Sequence, residues 1–97
     1  MKIVWSPLAL ERVNAIADHI AEDNIEAARV WVADIFGAVD RIQNFLESGR
    51  VVPEVKRPNV REVIFKNYRV IYRVESKQIS ILTVRHGKQR LPLKDVK

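Results

Sequence analysis

The stretch from Val60 to Pro92, VREVIFKNYRVIYRVESKQISILTVRHGKQRLP, limits the possible folds of this chain more than any other. It reads as strands over 60–66, 68–75 and 78–86, joined by two tight turns and followed by a basic tail over 87–97. The apolar runs are rich in Val, Ile, Tyr and Phe, which suit a pleated, half-buried surface. Lys66-Asn67 breaks the first run and Glu75-Ser76-Lys77 breaks the second. Short polar breaks between β-rich runs signal hairpins, but neither is Asn-Gly or Asp-Gly, so the turn types stay open.

Strand residues two apart share a face. Tyr68, Val70, Tyr72 and Val74 therefore point one way, and Arg69, Ile71 and Arg73 the other. The first set should face a core, which puts the two guanidinium groups side by side on the outer face of a central strand. Arg61 lies on the preceding strand, and Arg85, His86, Lys88 and Arg90 close the last one. Long basic side chains do snorkel over apolar sheet. Like charges on neighbouring strand positions are nonetheless unfavourable, and an anionic partner, either a phosphate backbone or an acidic chain, would relieve them.

The N-terminal half has a different period. Lys2 to Trp5 is a short β-like run, an edge or second strand of the sheet (1–5). Ser6-Pro7 then opens a helix over 6–22, since Ser is a preferred N-cap and Pro suits the first helical position. Ala9, Val13, Ile16, Ala17 and Ile20 form one helical face. Asn24 caps a second helix over 24–47, with Glu26 in its first turn. Its stripe is Ala28, Trp31, Ile35, Ala38, Ile42 and Phe45, widened by Val39 and Leu46, and the aromatics there are core residues. Gly49 reads as the residue that ends this helix. Pro53 and Pro58 exclude regular helix from 50–59, which is expected to be a crossing loop. The short link between the helices makes an antiparallel hairpin. The order β-αα-βββ is a two-layer α+β fold, the N-terminal helical hairpin packed on one face of a mainly antiparallel sheet, in a single domain over 1–97. The other face is expected to be open, with Arg69 and Arg73 on it and a frayed tail beyond Pro92.

Charge is split between the halves. Residues 1–49 carry four Lys/Arg against eight Asp/Glu, a balance of −4, and residues 50–97 carry thirteen against four, a balance of +9. Such asymmetry points to a partner for the basic half, and charge alone does not choose between nucleic acid and an acidic protein segment. The chain has no cysteine, hence no disulfide frame or thiolate metal site. His19 and His86 are far apart in sequence and form no local metal motif, so no metal or cofactor is expected. No signal-peptide layout precedes the first helix and no run reaches membrane-span length, which makes a soluble, cytoplasmic protein the expectation. There is no Gly-rich phosphate loop, nucleophile elbow, helix-turn-helix or zinc-finger pattern.

Four segments together carry a family resemblance: Trp5-Ser6-Pro7 leading into a helix, Gly49-Arg50-Val51-Val52-Pro53-Glu54, Tyr68-Arg69-Val70-Ile71-Tyr72-Arg73-Val74, and Val84-Arg85-His86-Gly87. In this order they resemble the RelE/ParE superfamily of bacterial toxins from type II toxin–antitoxin systems, more the ParE branch than the RelE branch. The resemblance implies the same β-αα-βββ fold. It also implies a toxin that causes growth arrest by poisoning DNA gyrase, associated with plasmid stabilization and neutralised by a cognate antitoxin. That antitoxin would be extended and partly helical, bringing acidic residues to Arg69, Arg73 or Arg85. The expected antitoxin- or target-binding set is Arg61, Arg69, Arg73, Arg85, His86, Lys88 and Arg90.

The RelE branch instead cleaves mRNA on the ribosome, which requires a base for the ribose 2′-OH, cations for the phosphorane charge and an acid for the leaving oxygen. Here Glu54, Arg69 and His86 would fill those roles. Three considerations weigh against this alternative. No tyrosine follows Tyr72, and Lys56-Arg57 replaces the usual lysine pair, with Pro58 displacing the local backbone. Third, Glu54 reads more readily as a solvated loop acid, and His86 as a surface or hydrogen-bonded strand-end residue. A gyrase-inhibiting, non-enzymatic toxin is therefore favoured over an RNA endonuclease, with a non-toxic basic binding module as the third possibility.

Overall fold

A computed structural model describes residues 1–44 and 49–96. The elements are β1 (Lys2–Trp5), α1 (Pro7–Asp23), α2 (Ile25–Asp40), β2 (Arg50–Val51), β3 (Val60–Phe65), β4 (Tyr68–Val74) and β5 (Gln78–His86). Two 3₁₀ turns, Arg41–Asn44 and Leu93–Val96, follow α2 and end the described chain. The strands form one sheet in the order β1-β5-β4-β3-β2. All neighbours are antiparallel except β1, which runs parallel to β5 at the edge, Lys2 opposite Gln78 and Trp5 opposite Ile81.

The helix starts follow their caps. Ser6 Oγ accepts from the Ala9 N–H at 3.0 Å and donates to the Leu82 carbonyl at 2.8 Å, so the same hydroxyl caps α1 and ties it to β5. Asn24 Oδ1 accepts from the Ala27 N–H at 3.0 Å. The second helix is shorter than its apolar stripe suggests: it tightens to 3₁₀ geometry at Arg41, a common way to finish a helix. Phe45, Leu46 and the expected helix end near 47 lie outside the described residues. Gly49 needs no left-handed conformation. A Cβ there would collide with the Tyr72 hydroxyl and lie 2.6 Å from the Glu62 carbonyl oxygen, so the position needs a residue with no side chain.

The helix-facing side of the sheet carries the larger core. Val70, Tyr72, Ile79, Ile81 and Val84 pack on Ala9, Val13, Trp31, Ile35, Val39 and Ile42. The Trp31 ring meets Tyr68 and Phe65 edge-on, at 5.4 and 6.0 Å between centroids.

The opposite side is covered, contrary to the sequence-based expectation. Val52, Val60, Ile71, Leu82, Leu91 and Val96 form a second buried cluster there. Residues 52–58 fold back over this side: the Val52 N–H donates to the Val60 carbonyl at 3.2 Å, and the Val55 and Lys56 N–H groups donate to the Val52 carbonyl. The C-terminal segment closes it. The tail is not frayed through Val96, which is 4% exposed. Residues 50–51, expected in a loop, pair with β3 as an edge strand.

Candidate functional site

β4 positions Arg69 on the second side, next to Ile71. The two-residue turn at Lys66-Asn67 pairs Phe65 with Tyr68, and so sets Glu62 opposite Ile71 and diagonal to Arg69. Arg69 Nε donates to Glu62 Oε2 at 2.5 Å, while Arg50 Nε donates to Glu62 Oε1 at 2.7 Å. The fork of Arg69 closes on Glu54, with Nη1 to Oε2 at 2.9 Å and Nη2 to Oε1 at 2.8 Å. Nη1 also donates to the Gln89 carbonyl at 3.3 Å, and the Leu91 N–H donates to Glu54 Oε2 at 3.1 Å. One guanidinium thus joins β3, β4, the 52–58 loop and the C-terminal segment.

Glu62 has no exposed side-chain surface and Arg69 has 6%. A charge so withdrawn from water is tolerated only when paired and hydrogen-bonded. The bidentate Arg69 holds the Glu54 carboxyl down at about 2, well below the ordinary 4.5, against the opposing effect of burial. Glu54 in turn holds the guanidinium above its ordinary value. Burial pushes the neighbouring Tyr72 phenol up, against the Gly49 backbone and the Arg61 charge.

The arginines expected to crowd an open face are thus mostly paired within the chain. Arg69 faces Arg85 directly across the β4–β5 pair, and carboxylates brought from elsewhere offset the repulsion. Arg85 Nη1 lies 3.9 Å from Asp95 Oδ2, and Arg12 Nη2 approaches the same oxygen at 3.5 Å. Arg73 lies 3.6 Å from Glu75. Arg61 donates to the Gly49 and Pro58 carbonyls at 2.9 and 3.0 Å. Lys88 and Arg90 are exposed, on a turn held by its own hydrogen bonds. In that turn the Gly87 N–H donates to the Asn67 carbonyl at 2.7 Å, the Gln89 N–H to the His86 carbonyl at 2.9 Å and the Lys88 N–H to His86 Nδ1 at 3.2 Å.

The structure brings together only part of the set weighed for RNA cleavage. Glu54 and Arg69 are clamped to each other on the second side. His86 pairs with Tyr68 in register and lies on the helix side, its ring edge-on to Tyr68 at 5.7 Å. The sheet separates it from Arg69. Sequence reasoning missed Glu62, Asp95 and the Leu91 amide as partners. For Glu62 the signal was present, because the short hairpin fixes its register with Arg69.

A two-layer α+β protein of this topology, with its strand arginine enclosed in a carboxylate clamp, matches known toxins along nearly its whole length. The model of the ParE toxin of the type II toxin–antitoxin system, parDE, matches residues 3–91. The curated "Putative toxin Y4kP" of Sinorhizobium fredii (strain NBRC 101917 / NGR234) is 34% identical over 93 residues, spanning 94% of this chain and 93% of that protein. Among solved structures, a chain described as "Chromosomal ParDE TA system from P. aeruginosa" superimposes with a TM-score of 0.76 at 27% identity, over 91% of this chain and 97% of that one. The chain belongs to the ParE toxin family of type II toxin–antitoxin systems. Membership implies a cognate antitoxin as its partner.

Proposed function

We propose that this toxin stops growth by binding DNA gyrase, without carrying out proton transfer or phosphate chemistry of its own, and that its antitoxin neutralises it by covering that binding surface. The observation that carries this reading is the Glu54–Arg69–Glu62 clamp. A nuclease needs a cation free to hold the developing phosphorane charge, and four of the five Arg69 N–H donors already point at Glu54, Glu62 and the Gln89 carbonyl. His86, the remaining acid of that alternative, is on the far side of the sheet. Action on gyrase places the protein in the cytoplasm, and no helix among the described residues is long and apolar enough to cross a membrane.

The exposed cations of the His86–Arg90 turn then serve as contacts rather than catalysts. Acidic antitoxin residues are expected at Lys88 and Arg90, and at the partly exposed Arg73, rather than at the enclosed Arg69. The test is the purified toxin in parallel assays of gyrase supercoiling and of cleavage of ribosome-bound mRNA. The expected result is loss of supercoiling with accumulation of cleaved DNA and intact mRNA, weakened when Lys88 and Arg90 are both changed to Gln. Cleavage of mRNA with unaffected gyrase would overturn the proposal.

A further inference from the structure

On the helix side, α1 and the ends of β4 and β5 line an open pocket of about 260 Å³. Arg12, Ala15, Ile16 and His19 line it from one face of α1, at helical spacings of three, four and seven. Tyr68, Val84, His86 and Gln89 line it from the sheet and the turn beyond. The two histidines, distant in sequence, thus border one cavity. Among the described residues, none that lines it is a carboxylate.

Two internal hydrogen bonds fix what the polar lining presents. His86 Nδ1 accepts from the Lys88 N–H, so the ring proton of the neutral imidazole sits on Nε2 and makes that atom a donor. Gln89 Oε1 accepts from the His86 N–H at 3.2 Å, which leaves the amide NH₂ as the other end of that side chain. Tyr68 adds a hydroxyl, His19 a second imidazole and Arg12 a permanent positive charge. Two lining residues have carboxylate partners outside the lining: Asp95 is 3.5 Å from Arg12 Nη2, and Glu22 is 3.4 Å from the exposed His19. Arg12 approaches Asp95 through Nη2, and its buried Nε has no hydrogen-bond partner among the described residues. Ala15, Ile16 and Val84 supply its apolar lining.

We infer that this pocket binds a phosphate-type oxyanion, held by Arg12, His86 Nε2–H and the Gln89 amide, with Tyr68 and His19 at its rim. A lining that offers donors and one fixed cation, with no carboxylate among the described lining residues, matches an acceptor-only ligand, and charge-assisted hydrogen bonds are the strong ones. The site lies on the side of the sheet away from the Arg69 clamp, and the inference does not depend on gyrase being the target.

The test uses the full chain, followed by two-dimensional NMR during titration with inorganic phosphate or ribose 5-phosphate, against sodium chloride at matched ionic strength. Saturable shifts of the His86, Gln89, Tyr68 and Arg12 resonances with either phosphate, and none with chloride, are expected. Tighter binding of the ester would identify an esterified phosphate as the ligand, and equal binding the free ion. Gln89→Glu keeps an oxygen for the His86 N–H but replaces the donor with a negative charge, and should weaken binding by about tenfold or more. His19→Gln, at a side chain 83% exposed and so harmless to the fold, should weaken it less. Shifts that track ionic strength alone, shifts confined to Lys88 and Arg90, or unchanged affinity in a folded Gln89→Glu variant would overturn the inference.

Discussion

The two sides of the sheet are stabilised by different means. On the helix side, apolar and aromatic side chains interlock, and nearly every contact follows from a stripe written at helical or strand period. On the other side, a smaller apolar cluster surrounds a chain of ion pairs running Arg50–Glu62–Arg69–Glu54. Hydrophobic contact is non-directional, so the helix side should tolerate changes that keep volume. A buried ion chain is directional and fails when one member is removed, because the others keep their charge. The strand arginine of this toxin thus acts as a structural tie between sheet, loop and C-terminal segment.

The largest expected effect comes from Arg69→Ala. It leaves the enclosed Glu62 with Arg50 as its one remaining arginine among the described residues and releases Glu54, and should cost about 3–5 kcal/mol in urea unfolding. Pairing Arg69→Met with Glu62→Leu removes both enclosed charges, and should be less damaging than the sum of the single changes. A strictly additive double variant would show that the second side behaves like an ordinary apolar core.

Acid should act through the same side. The folded Glu54 carboxyl sits at about 2, below its ordinary 4.5. Its contribution is therefore fully present above pH 4.5 and is lost as pH falls toward 2. Its magnitude is on the order of 3 kcal/mol, for a side chain 20% exposed. In Glu54→Gln that part of the acid destabilisation should disappear, as read from urea midpoints between pH 5 and pH 2.

Gly49→Ala probes where the sides meet. The added methyl would run into the Tyr72 hydroxyl and the Glu62 carbonyl, and one of them must shift. A loss of about 1–3 kcal/mol is expected from urea unfolding. The smallest effect belongs to the helix side. Trp31 is 5% exposed, and its indole N–H has no hydrogen-bond partner among the described residues. Trp31→Phe keeps most of the ring contact and discards that donor, so it should cost under about 1.5 kcal/mol. A larger loss in thermal unfolding would show that the helix side depends on specific polar contacts too.

What could be read from the sequence follows the same division. Ser6-Pro7 and Asn24 mark the helix starts, the Ala28–Ile42 stripe marks the buried face of α2, and Lys66-Asn67 marks a hairpin, because each signal is local. With that hairpin's register, the Glu62–Arg69 diagonal was also within reach. Glu54 and Asp95 were not. Their partners lie 15 residues away for Glu54, and across two elements for Asp95. Nothing local says that a loop containing two prolines folds back over the sheet, or that the C-terminal residues pack there. Alternation along β4 placed Arg69 correctly opposite Tyr68 and Val70, but could not show that this second side is covered.

The most direct measurement is an NMR titration of the Glu54 side-chain carboxyl carbon in the folded toxin. A midpoint at about 2 is expected, because Arg69 holds the carboxylate with both ends of its fork. A midpoint near the ordinary 4.5 would mean that Arg69 is not clamped, and that its charge is available to a phosphate after all.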